Sequence, residues 1–213
     1  MRLTVFGATG GTGTEVVRQA LEAGHQVIAV VRDPARLTVP GDSTPDGERF
    51  SVVTADVTDP EVISAALEGA DAAISALGHR RGDSATICAD GTGAILTAME
   101  KAGVRRLVAV SASGLFSEAG EPPLTKYVAK PLLQALLRSG KADAHRMEEL
   151  VTESPADWTI MRPSRLLNQP RRPYRTNLDR YVSAQIGRAD LADAILKALE
   201  DPATIGHRVN VGY

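Results

Sequence analysis

Leu3-Thr4-Val5-Phe6-Gly7-Ala8-Thr9-Gly10-Gly11-Thr12-Gly13 is the stretch whose reading decides the fold. A β-branched apolar run ends in glycine, and Gly7, Gly10 and Gly13 follow with the spacing GxxGxxG. From Glu15 to Ala23 the apolar residues Val16, Val17, Ala20 and Leu21 fall at helical spacing, and Gly24 stops the pattern. Strand, glycine turn and helix in that order make a pyrophosphate site. The first glycine permits the turn, the second lets backbone approach phosphate, and the third lets helix and strand pack closely. N–H groups at the helix N-terminus then face the anion. A glycine triplet by itself also suits a plain structural turn; the strand before it and the helix after it favour dinucleotide binding.

The same alternation continues outward. Apolar runs predict strands at Val27–Val31, Phe50–Ala55, Ala72–Ala76, Arg106–Ser111, Trp158–Met161 and His207–Val211. Helical spacing predicts helices at Pro60–Leu67, Thr86–Ala102, Pro131–Arg138, Ala144–Glu153 and Ala189–Leu199, with Gly103 ending the second of these. Pro40–Glu48 reads as a loop and Asn168–Arg180 as mostly loop. Strands alternating with helices imply a doubly wound parallel sheet, a Rossmann-type α/β fold with helices on both faces. Residues 1–213 read as one domain, within which residues 163–185 form an irregular substrate cap.

Composition narrows the function. With 24 Lys and Arg against 26 Asp and Glu, the chain has no basic surplus for nucleic acid. One cysteine, Cys88, leaves no internal disulfide and no multi-cysteine metal cluster, so no metal is expected and a reducing cytoplasm fits. Cys88 itself reads as an inert helix residue. No apolar stretch approaches 18 residues and no signal peptide is evident, so no membrane is expected.

The second strand ends in Val31-Arg32-Asp33-Pro34-Ala35-Arg36. A site selective for NAD places an acid here on the ribose diol. Arg32 stands in that place, with Arg36 one turn on, and two guanidinium groups suit a 2′-phosphate. NADP(H) is therefore the expected cofactor, although Asp33 also offers a carboxylate to a ribose.

GATGGTG, VVRDPARL, ADVTD and SALGH at the ends of the first four strands, then VAVSASG, HRMEELVTES, DWTIMRPSRL and GRADLADAIL, resemble in content and order the atypical short-chain dehydrogenases/reductases. Within that group the chain is similar to the NmrA-like and flavin reductase (biliverdin reductase B-like) branch. The resemblance implies a pyrophosphate held along Gly7, Thr9, Gly10, Gly11, Thr12 and Gly13, and a 2′-phosphate held by Arg32 and Arg36. It implies adenine flanked by Asp56 and Val57, a nicotinamide ribose beside Leu77 and Gly78, and a nicotinamide wall of Met161, Arg162 and Pro163. Ser111, followed by Ala112 and Ser113, matches the active-site serine that ends the fifth strand. Its hydroxyl orients the carboxamide or substrate, or donates a proton through water; the plainer reading is a serine satisfying backbone groups.

Departures from the family matter. Tyr127 is followed by Lys130, one residue short of Tyr-x-x-x-Lys, so Tyr127 as acid competes with Tyr127 as a packing residue. Ser164 stands where the flavin reductase relatives have histidine, and His145 is offset by one from another of their histidines. Arg162, Arg165, Arg171, Arg172, Arg175 and Arg180 face a single acid, Asp179, a net of +5 over 19 residues. Ser113, Ser164, Arg165, Arg171 and Arg172 are the candidate substrate contacts, and His79, Arg80 and Arg81 add to the field. This suits an anionic small molecule; the alternative is a solvated segment pairing with acids elsewhere. Asp190 reads as a helix-start acid.

The expected activity is hydride transfer from NADPH to a small planar acceptor, flavin- or quinone-like, with FMN or another flavin as a candidate substrate; a biosynthetic carbonyl or ene substrate also fits. A dinucleotide-sensing regulator without turnover and an epimerase-like enzyme are the rival readings. A monomer or small homo-oligomer is expected.

Overall fold

A computed structural model describes residues 1–38, 49–79, 82–116, 119–124, 127, 138–183 and 185–213. The expected helix at Pro131–Arg138 falls outside them but for Arg138, as do the loop at Pro40–Glu48, Arg80, Arg81 and Lys130.

The first half alternates strand and helix: β1 (Arg2–Phe6), α1 (Gly11–Glu22), β2 (Gln26–Val31), β3 (Phe50–Thr54), α2 (Pro60–Ser64), β4 (Ala72–Ser75), α3 (Ile87–Ala102) and β5 (Arg106–Val110). The second half adds α4 (Arg138–Glu153), β6 (Asp157–Pro163), β7 (Arg165–Leu167), β8 (Arg175–Leu178), β9 (Gln185–Gly187), α5 (Arg188–Glu200) and β10 (His207–Gly212). The main sheet has the order β3-β2-β1-β4-β5-β6-β10-β8, parallel except for the β10–β8 pair. This is a Rossmann-type α/β fold. Strand order reverses between β1 and β4, which opens a crevice above their carboxyl ends.

Continuous apolar strands are explained by burial on both faces. Leu3 and Val5 of β1, with Val27 and Ala29 of β2, join one core against α1 and α5; Phe6, Ile28 and Val30 join another against α2, α3 and α4. Thr4, fully buried, donates its hydroxyl to the Ala66 carbonyl at 2.6 Å, so its polar group costs little there. Fully burying each of these large aliphatic side chains contributes about 2 kcal/mol.

Three expectations are refined. Within Asn168–Arg180, read as mostly loop, β8 pairs antiparallel with β10, in register Leu178 with Val209 and Thr176 with Val211. All four β8 residues are exposed, so this edge strand carries no hydrophobic pattern to betray it. The cap segment is also more ordered than an irregular loop. It carries β7, which pairs with β9 in a two-stranded sheet beside the crevice. α4 begins at Arg138 rather than Ala144, running through Gly140.

Candidate functional site

Gly7 turns the chain out of β1 with φ +75°, and a Cβ there would come within 2.7 Å of the Ala76 carbonyl carbon. A Cβ on Gly13 would press into the backbone of Gly7 and Ala8. Helix and strand therefore meet backbone to backbone, as the spacing predicts. Gly10 is the N-cap of α1 and no side chain caps this end. The first turn has no acid either, so the helix places no carboxylate of its own at the positive end of its dipole.

A cleft of about 700 Å³ opens over this turn. Gly7, Thr9, Gly10, Gly11 and Thr12 line its middle. Arg32, Asp33 and Arg36 line one end together with Ala55 and Val57, while Ala76, Leu77, Gly78 and His79 follow along the β4 side. Val110, Ser111 and Leu166 line a further stretch at the ends of β5 and in β7. Most of the expected cofactor residues are thus brought into one crevice, of a volume usual for small-molecule sites.

Electrostatics set the character of the arginine end. Arg32 is half-exposed and its guanidinium pairs with the largely buried Asp83 at 2.7 Å. Asp33 caps the short turn Pro34–Arg36 by accepting the Ala35 N–H at 3.1 Å, so one oxygen of its carboxylate is held locally. Asp56, expected at the adenine, lies outside the cleft lining. It accepts the Thr58 N–H at 3.0 Å and hydroxyl at 2.8 Å, and the backbone bond foremost holds its carboxyl below the usual range.

Other expected residues lie elsewhere. Met161 is fully buried in the core rather than in the cleft wall, and its carbonyl accepts the Ser111 N–H at 2.8 Å. Pro163 is buried at the end of β6, and Ala112 packs toward Leu115 and Phe116. Arg162 turns away from the cleft. It is buried, stacks on Phe116 at 4.0 Å and pairs with Glu148. Ser113 and Ser164 bond to each other at 2.9 Å. Tyr127 is 69% exposed and does not line the cleft.

The arginine field over the substrate is not what the fold builds. Arg171 pairs with Asp193, Arg172 lies over the Tyr213 ring at 3.4 Å, and Arg175 donates to the Tyr213 carbonyl at 3.0 Å. Arg171 and Arg172 border a separate groove of about 650 Å³ against α5, among the acids Asp190, Asp193 and Asp201. Arg165 is exposed on β7. Asp190 is buried in the first turn of α5 and accepts the Tyr213 hydroxyl at 2.6 Å, the structural role its position suggested.

Sequence reasoning missed Arg188, Glu148 and Asp83. Arg188 opens α5 and lies across the start of α1: a Cβ on Gly11 would meet its Cδ at 2.7 Å. Its guanidinium donates to Asn168 Oδ1 at 2.7 Å and lines the cleft. A cation at a helix N-terminus is disfavoured by the dipole, and that misfit was the available signal.

Cys88 sits at the start of α3, its sulfur 3.9 Å from His79 Nδ1. Asp143 is buried beneath, accepting the N–H groups of Cys88 at 3.0 Å and Ala89 at 2.8 Å, and pairing with His79 Nε2 at 3.0 Å. Burial first, and the Asp143 charge second, push the Cys88 thiol up to about 12. The thiol is thus protonated and inert at neutral pH. Alkylation by iodoacetamide is expected to be about a thousandfold slower than for a free thiol at pH 7.5, rising about tenfold per pH unit through pH 10. A plateau near pH 8 in the mass-spectrometric time course would contradict this.

The family model described as NAD(P)H-binding matches residues 7–202. Among curated relatives, photosystem II assembly factor Ycf39 of Synechocystis is 34% identical over 111 residues, which are 51% of this chain and 32% of the relative. The chain thus spans about a third of that relative's length. Among solved structures, a short-chain dehydrogenase/reductase from Veillonella parvula in complex with NADP superposes with a TM-score of 0.82 at 21% identity, covering 100% of this chain and 94% of that one. ChuY, an anaerobilin reductase from Escherichia coli O157:H7, gives 0.78 at 22% identity over 99% and 96% of the two chains. At these identities the structures establish a shared fold.

Proposed function

The chain belongs to the NAD(P)H-binding family, and from that premise we propose that it is an NADPH-dependent reductase of a small planar acceptor, flavin- or quinone-like. The observation that carries the reading is the paired Arg32 and Arg36 at one end of a cleft floored by the glycine turn, with Ser111 further along it. Two guanidinium groups recognise a 2′-phosphate; the uncapped end of α1 and Arg188 suit the pyrophosphate. The NADP held by the Veillonella parvula protein lends the same direction. Bound nicotinamide would supply the hydride, and this chain would supply position and shelter from water. Arg162, Arg171 and Arg172 are turned to partners of their own, so the reading does not rest on them for the charge of the substrate.

The test is NADPH oxidation followed by absorbance with FMN, simple quinones and small carbonyl acceptors. Turnover above background with a flavin or quinone is expected. Tight NADPH binding with no turnover of any acceptor would favour the second reading, a dinucleotide-sensing regulator, for which the exposed position of Tyr127 off the cleft speaks.

Asp83 bears on affinity. It occupies the guanidinium that a 2′-phosphate would need, so binding must exchange one anion for another. Asp83→Asn is expected to tighten NADPH about threefold and leave NADH unchanged. Because Arg32 is half-exposed, solvent keeps the gain small. Calorimetric titration of both dinucleotides checks it; equal changes for the two would sink the exchange.

A further inference from the structure

Ser111 lines the cleft just beyond the end of β5 and donates its hydroxyl hydrogen to Glu148 Oε1 at 2.6 Å. Glu148, on α4, is 3% exposed. Its carboxylate also receives Arg162 Nε at 2.9 Å on Oε1 and Arg208 Nε at 3.1 Å on Oε2, with an Arg162 Nη2 bond to Oε2. Both arginines are donors only, so they fix the carboxylate as an acceptor on every side. Arg162 is itself held by the Phe116 ring beneath its guanidinium. The carboxylate is therefore rigid, and it faces Ser111 with an oxygen and no hydrogen.

A serine hydroxyl has one hydrogen and two lone pairs. With the hydrogen committed to a buried carboxylate, only lone pairs face the cleft. We infer that Glu148 is a positioning residue that makes Ser111 an obligate hydrogen-bond acceptor toward the bound ligand, and that the group it receives is the N–H of the nicotinamide carboxamide. The inference rests on the dinucleotide reading above and deepens it. It removes Ser111 from the candidates for proton donor to substrate. The acceptor must then take its proton from water or another group, which suits flavin and quinone rings, whose reduced nitrogens and oxygens protonate from solvent.

The test compares NADP⁺ with its 3-acetylpyridine analogue, in which a methyl ketone replaces the carboxamide: the carbonyl stays and the N–H donors go. Calorimetry is run on wild type, Ser111→Ala and Glu148→Gln, with circular dichroism to confirm folding. Wild type is expected to prefer NADP⁺ about 5- to 10-fold, the value of one hydrogen bond. Ser111→Ala should bring that ratio close to one. Glu148→Gln can offer Ser111 an N–H, turning its hydrogen toward the cleft, and should lower the ratio too. A ratio unchanged in Ser111→Ala, or no preference in wild type, overturns the inference while leaving NADP⁺ binding intact. Should NADP⁺ fail to bind wild type at all, the dinucleotide reading falls and takes the inference with it. A merely structural Glu148 would weaken both ligands equally and leave the ratio where it was. Ser111→Ala keeps the Glu148 ion pairs, so an unchanged ratio in it overturns the inference even if Glu148→Gln does not fold.

Discussion

Replacing Arg32 and Arg36 together by alanine is expected to weaken NADPH binding by about 100-fold or more and to leave NADH within about threefold. Each guanidinium offers a charge-assisted bond to a phosphate oxygen, and bonds to charged groups contribute about 1.5–3 kcal/mol each. Two such bonds, lost together, correspond to at least two decades in Kd. The lower part of the range applies, because Arg32 is half-exposed and already bound to Asp83 in the free protein. Arg36→Ala alone should cost NADPH about tenfold, since Arg36 lines the same end of the cleft. Raising the salt concentration should narrow the NADPH preference in wild type, as expected of exposed charges, and do little in the double variant. If the double variant still prefers NADPH tenfold or more over NADH, the 2′-phosphate is held elsewhere and the assignment of this end of the cleft is wrong.

The parts of this site that were legible in the sequence are those encoded over short spans. GATGGTG, the arginines after β2 and the strand-helix rhythm depend on neighbours within about ten residues, and periodicity reports them directly. What escaped depends on distant partners. The arginines of the cap segment read as free charge because Asp193 lies 22 residues from Arg171, and Glu148 lies 14 residues from Arg162. Nothing local in HRMEEL sets Glu148 apart from its neighbours; only the packing of α4 against the sheet shows it buried between Arg162 and Arg208. Arg32 was found, whereas its partner Asp83, 51 residues away, was not. β8 was missed for the opposite reason: exposed and polar, it is held by backbone bonds to β10 that leave no trace in side-chain pattern.

Gly13→Ala is expected to be severely damaging for the addition of a single methyl. The added Cβ would lie 2.8 Å from the Gly7 carbonyl carbon and 2.9 Å from the Ala8 Cα, and nearer still to the Gly7 carbonyl oxygen. All three are backbone atoms, so no side chain can rotate out of the way. Relief requires α1 to lift off β1, which would open the fully buried contacts of Val16, Val17 and Ala20 with the core on that face. Overpacking ordinarily costs about 1–3 kcal/mol, and a clash against immobile backbone belongs at or above the top of that range. The site fails with the fold, because the same displacement carries the N-terminus of α1 away from the cleft floor. Gly24→Ala separates this effect from the general strain of replacing a glycine. Gly24 has φ +84° and nothing within 4 Å of where a methyl would sit, so alanine there suffers only the left-handed backbone penalty of about 1–2 kcal/mol. In urea unfolding, Gly13→Ala should lose clearly more than Gly24→Ala loses. In calorimetry it should lose NADPH binding even at temperatures where it remains folded, whereas Gly24→Ala should bind as wild type does. Equal losses of stability for the two variants, with NADPH binding retained in both, would mean that the close approach of Gly13 to Gly7 is not what holds the helix over the cleft.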